Sequence, residues 1–125
     1  TPSLKKKRIK KMATYNNLPV YKASYDLLLL LFRSSKNMDR DYRHTLGESL
    51  KNELVALITN IYRANSSVQK KVLLATAREN LEVIRLLMRL ANDLKQFNLN
   101  DFVQANLLIE SISKQLVAWQ KYSLE

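Results

Sequence analysis

The residues of this chain with the most chemical potential are cations set at helical spacing. Lys71, Arg78, Glu82, Arg85, Arg89 and Gln96 fall within roughly 60° of arc when residues are placed at about 3.6 per turn. A planar guanidinium grips phosphate or carboxylate through two parallel hydrogen bonds, so three arginines on one stripe point to binding of an anion. Glu82 stands where it can pair with Arg78 or Arg85 and reduce the available charge. Arg40 and Arg43, at the start of the second predicted helix, and Lys70 beside Lys71 add further positive charge. A solvated helix face is the competing reading of the same pattern. The six tyrosines, among them Tyr21, Tyr25 and Tyr62, could stack on bases, but their pattern fits amphipathic edge residues of a core better.

For catalysis the chain offers little. It has no Cys, which removes thiolate nucleophiles, disulfides and Cys-ligated metal. His44 is the only histidine and has no Glu three residues before it, so the Glu-x-x-His pairs of di-iron helical bundles are missing. Glu53 and Glu110 lie nearest the predicted core faces and read as surface charges or interhelical ion pairs. One glycine cannot build a phosphate-cradling loop. The expectation is therefore a protein without enzymatic activity, resident metal, cofactor or small-molecule substrate.

The elements that must position the cations follow from composition and periodicity. Within 125 residues, 21 Lys+Arg against 11 Asp+Glu give a net charge of +10. Six of those cations, Lys5, Lys6, Lys7, Arg8, Lys10 and Lys11, form a basic run ahead of Met12, predicted to be a disordered tail over 1–17. It reads either as a leader or added arm before a natural start at Met12, or as a phosphate-binding arm. Apolar residues make up 46% of the chain and it holds one Gly and two Pro, which favours an all-helical domain. No stretch approaches the ~20 apolar residues of a membrane span, so no membrane contact and a cytoplasmic location are expected.

Four helices are predicted, over 19–36, 40–64, 68–97 and 101–122, forming one domain from 18 to 122. Pro19 suits a first helical turn. The first helix carries six consecutive apolar residues from Leu27 to Phe32, and Leu29 falls within the polar stripe of Lys22, Asp26 and Arg33. Leu29 is either a tolerated exposed leucine or, as favoured here, part of an oligomer interface. In the second helix Leu46, Leu50, Leu54, Leu57 and Ile61 share one face. Gly47 within it marks either a close helix approach or a tolerated weak spot. The third helix has two seams, Leu74-Ala77-Leu81-Ile84-Met88-Ala91 and Val83-Leu87-Leu90-Leu94, which implies two packing partners. The fourth keeps a single core face from Phe102 to Trp119. Short connections between such helices predict an antiparallel up-down-up-down four-helix bundle that oligomerises.

Several stretches also resemble a known family. They are Leu18-Pro19-Val20-Tyr21-Lys22, Thr45-Leu46-Gly47-Glu48-Ser49-Leu50, Ile61-Tyr62-Arg63-Ala64, the block from Arg85 to Leu94 and Leu116-Val117-Ala118-Trp119. Their order and spacing from Leu18 to about Tyr122 resemble the accessory variability determinant (Avd) of diversity-generating retroelements. That family lies within a wider four-helix-bundle group that includes proteins encoded in intervening sequences of bacterial ribosomal RNA genes. The resemblance implies a barrel-like homopentamer that binds RNA or DNA and associates with a reverse transcriptase during mutagenic copying of template RNA into cDNA. It also implies that Arg85 and Arg89 are the matching basic positions, with Arg78 a stripe-mate before them. Asn37-Met38-Asp39 departs from a link that often contains proline, and the basic tail before Met12 stands outside the resemblance. The alternative is a stand-alone interaction or scaffold bundle of the intervening-sequence type.

Overall fold

The computed structural model describes residues 18–123, and the structural statements below concern these residues. Four helices follow one another: α1 (Pro19–Ser34), α2 over residues 40–66, α3 (Lys70–Asp93) and α4 (Leu99–Tyr122). Helix α2 is built in three consecutive parts, a start at Arg40–Tyr42, a π-helical stretch Arg43–Gly47 and the long segment Glu48–Ser66. No strand occurs among the described residues. Helix α1 packs on α2 and α4, and α3 packs on α2 and α4, so the four surround one core.

The predicted apolar rows are the core. Leu50, Leu54, Leu57 and Ile61 of α2, the Leu74-to-Ala91 row of α3, and Ala105, Ile109, Ile112 and Leu116 of α4 are all buried in one cluster with Leu27 and Leu31 of α1. Phe102 and Trp119, at the two ends of the α4 row, are partly buried and pack against it. Ser24 reaches the interior with its hydroxyl donating to the Val20 carbonyl at 2.7 Å, which satisfies it locally.

The helix ends differ from the periodic reading, and each difference has a local cause. Helix α1 closes at Ser34 rather than at residue 36. The Ser35 hydroxyl donates to the Phe32 carbonyl at 3.0 Å, and Met38 N–H to the Ser35 carbonyl at 3.2 Å, drawing 35–37 into a tight turn that buries Met38. Helix α2 continues to Ser66, and α3 begins at Lys70 rather than 68, because the Ser67 hydroxyl accepts from Gln69 N–H within the turn instead of capping a helix. Helix α4 begins at Leu99, two residues early, with the Asn98 side chain accepting from Asp101 N–H at 2.8 Å. The Ser34 hydroxyl then donates to the Asp101 carboxylate at 2.9 Å, tying the end of α1 to the start of α4.

The largest correction concerns α3, which ends at Asp93 rather than at residue 97. Lys95 adopts a left-handed φ of 59°. Lys95 N–H donates to the Asn92 carbonyl and Gln96 N–H to the Ala91 carbonyl, both at 2.9 Å, the paired bonds that close a helix over a left-handed residue. Gln96, expected on the basic stripe, lies beyond the helix and is buried. Its Oε1 accepts from Asp39 N–H at 2.8 Å while its Nε2 donates to the Asp39 carboxylate at 3.1 Å and to the Leu94 carbonyl at 2.9 Å. One side chain thereby clamps the α1–α2 connection to the α3–α4 connection.

Gly47 resolves in favour of a close approach, but to a different neighbour. A Cβ there would meet Met38 Sδ at 3.4 Å and Ser35 Cβ at 3.9 Å, so the connection folded beneath α2, and not another helix, lies against it.

Two outcomes test this account by urea denaturation. Leu54→Ala removes a fully buried side chain and should cost about 2–5 kcal/mol. Lys95→Gly relieves the left-handed backbone and should stabilise the fold by about 1 kcal/mol.

Candidate nucleic-acid interface

The cationic stripe of α3 lies against α4, because polar contacts join the two helices along its length. Arg78 Nη1 donates to Gln120 Oε1 at 2.7 Å, and Gln120 Nε2 donates in turn to the Lys71 carbonyl at 3.1 Å. Further along, Arg85 Nη1 donates to Glu110 Oε1 across the groove, while Arg85 Nε stands 3.5 Å from Glu82 Oε2 on its own helix. Of the two partners the sequence allowed Glu82, the fold selects Arg85. Of the two readings open to Glu110, surface charge or interhelical ion pair, the fold gives the ion pair, on a side chain that stays exposed. The hydrogen bond with Glu110 raises the Arg85 pKa above its ordinary value against the opposing effect of partial burial, and the charges of Glu110 and Glu82 reinforce it.

Arg89 continues the stripe one turn beyond Arg85, is exposed, and makes no ion pair among the described residues. Between α3 and α4 runs an open groove of about 400 Å³ whose walls include Arg78, Glu79, Glu82 and Ser113. Half of its lining residues are charged, and it is an open groove rather than an enclosed small-molecule cavity.

Not every predicted residue joins this surface. Arg40 and Arg43 begin α2, beside the clamp of Gln96 on Asp39, with Arg43 Nη2 donating to the Met38 carbonyl at 3.4 Å. They sit at the α3 C-terminal end of the bundle, whereas Lys71 is in the first turn of α3, whose 24 residues span roughly 36 Å. The tail cations Lys5, Lys6, Lys7, Arg8, Lys10 and Lys11 lie outside the described residues.

The sequence reading missed two lysines. Lys114 and Lys121 are exposed on α4, one turn and three turns beyond Glu110, and so extend the stripe of the residue that reaches Arg85. Their spacing from Glu110 was available in the sequence; that Glu110 reaches Arg85 on α3 was not.

Acidic Glu53, the other carboxylate singled out, accepts from Asn80 Nδ2 at 3.0 Å, and Asn80 Oδ1 accepts from Asn60 at 2.9 Å, a structural link between α2 and α3. His44 is exposed within the π-helical stretch, and no cluster of three or more metal-ligating side chains occurs among the described residues. Nor, among these residues, is any helix long and apolar enough to cross a membrane.

The apolar seams divide in an informative way. Of the second α3 seam, Leu87 and Leu94 pack against the core, whereas Val83 and Leu90 are exposed, together with Leu86 at 64% exposure. Leu29 is partly buried rather than bare, in a groove between α1 and α4 lined by Asp26, Leu30, Arg33, Gln104, Leu107 and Leu108.

A helical bundle with this core and these short connections can be compared with known proteins. The family model described as bAvd-like matches residues 5–123. The chain belongs to the bAvd-like family. No curated protein matches it. The bAvd-like match begins at residue 5, so the basic run falls within the matched span, whereas the sequence reading placed it outside the resemblance.

The bridge from Arg85 to Glu110 joins partly exposed partners, with side chains 37% and 56% exposed. A double-mutant cycle with Arg85→Ala and Glu110→Ala should therefore return a coupling of no more than about 1 kcal/mol, shrinking as salt is added.

Proposed function

We propose that this bAvd-like chain is a non-enzymatic, nucleic-acid-binding accessory protein of a bacterial diversity-generating retroelement. In this reading it associates with the element's reverse transcriptase and supports mutagenic copying of template RNA into cDNA. The family match over 5–123 carries the proposal, and the cations along the α3/α4 groove support its nucleic-acid side. Phosphate contacts of this type fix a backbone in place without reading its sequence, which suits a protein that must accept RNA, DNA or their hybrid.

Two architectural features belong to the proposal. The helices alternate in direction, up-down-up-down: residue 78 meets 120 while 85 meets 110, and Lys51 lies over the Phe32 ring at 4.5 Å while Tyr21 shares a groove with Tyr62. The chain also assembles as a homopentamer, for which the exposed Val83, Leu86 and Leu90 on α3 and Leu107 on α4 supply apolar surface that a monomer leaves in water.

Coexpression with the reverse transcriptase tests the association: the two proteins should co-elute, and cDNA yield from template RNA should fall when this chain is omitted. Separate elution with unchanged yield overturns the proposal. Light scattering should report five chains per particle, and Leu86→Lys or Leu29→Lys should reduce that number without loss of helicity. A monomeric wild type overturns the assembly.

A further inference from the structure

Arg85 lies on the cationic stripe of α3 between Arg78 and Arg89, yet it faces two carboxylates. Glu82 approaches its Nε at 3.5 Å from one helical turn before, and Glu110 accepts from its Nη1 across the groove. One guanidinium between two carboxylates leaves a local charge of −1 at the centre of a stripe whose other charged members, Lys71, Arg78 and Arg89, are cations, with Glu79 on the groove wall beside it. On one side of that centre stands Arg78, with Lys121 beside its partner Gln120. Lys114, one turn beyond Glu110 in the direction of Gln120, lies on that same side, and Arg89 stands on the other. The arrangement is a row of cations interrupted by a masked one.

We infer that the α3/α4 groove is the track for a nucleic-acid sugar-phosphate backbone, with Lys114 and Lys121 of α4 as contacts alongside Arg78 and Arg89, and that Glu82 and Glu110 limit its affinity by masking Arg85. The inference rests on the nucleic-acid reading of the proposed function and specifies how that site is set. From Lys71 to Arg89 the stripe is roughly 27 Å long at 1.5 Å per residue, room for a few nucleotides of extended backbone. A phosphate arriving at the centre must compete with both carboxylates for one guanidinium. The bridge nevertheless keeps that guanidinium stretched across the groove, where a phosphate would need it.

Masking makes a prediction that simple repulsion does not. If Glu110 acts only by repelling phosphate, its neutralisation helps equally whether or not Arg85 is present; if it occupies Arg85, the benefit requires Arg85. The experiment measures binding of the full chain to fluorescein-labelled U20 and dT20 as a function of salt. Glu110→Gln should tighten binding about three- to tenfold and steepen the logarithmic salt slope by roughly 0.7 to 0.9, the signature of one added phosphate contact. The same substitution made on Arg85→Ala should give less than a twofold gain. Glu48→Gln, which neutralises a carboxylate paired with Lys51 on α2, controls for net charge and should change binding less than twofold. Lys114→Ala with Lys121→Ala should weaken binding at least threefold and flatten the slope.

Equal gains from Glu110→Gln with and without Arg85 overturn the masking, as does a gain from Glu48→Gln of the same size. A Lys114→Ala/Lys121→Ala variant that binds as wild type overturns the track, and so does a variant whose scattering mass falls, since the groove is then a subunit contact. In all these cases wild-type binding leaves the proposed function standing. Failure of the wild type to bind either oligonucleotide overturns both.

Discussion

Burial of one apolar stripe from each of four helices in a single core is the constraint on which the rest of this structure depends. The stripes of α2, α3 and α4 hold apolar residues at alternating intervals of three and four, so each can be satisfied only by facing the others. With connections of a few residues between helices, few arrangements bring all four stripes together. Everything at the surface inherits its position from that decision. The stripe of α3 that carries Arg78, Arg85 and Arg89 lies about a quarter turn from the core row, and this angle presents it to α4 rather than to open solvent.

The connections are held by a different class of interaction. Gln96 bonds to both the backbone and the carboxylate of Asp39, Asn98 caps α4, and Asp101 receives the Ser34 hydroxyl. These groups meet at the same end of the bundle, where α1 ends, α2 begins, α3 ends and α4 begins. Among the described residues no buried side-chain nitrogen or oxygen is left without a partner, so this end is locked without the penalty of an unpaired polar group. The π-helical stretch before Glu48 and the left-handed Lys95 both sit in this end.

The charge on the bundle is distributed in two kinds of place. Six cations precede Met12, and the rest are spread over helices that also carry acids. A row of side chains fixed between two helices can hold a bound backbone in one position. In the proposed ring of copies such a row would be repeated, and several weak tracks on one particle would act as a strong one. The ion pairs within the row are modest in stability, and their interest lies in which cations they leave available.

How much of this could be read from the sequence varies by residue, with a physical reason in each case. The core rows, the helical class and the approximate position of every helix follow from local periodicity, because a helix stripe is defined by spacing alone. The sites of Glu82 and Arg85 as i, i+3 neighbours are legible for the same reason. The end of α3 was not legible: the left-handed position is taken by Lys95 rather than by Gly or Asn, so no local signal marks the stop. Periodicity extended past that point put Gln96 on the basic stripe, whereas the tertiary contact with Asp39, 57 residues away, buries it. Likewise the role of Glu110, and the relation of Lys114 and Lys121 to the α3 arginines, depend on which helix packs beside which. Sequence determines the faces a helix possesses through its own geometry; only the packing of the other helices decides what each face meets.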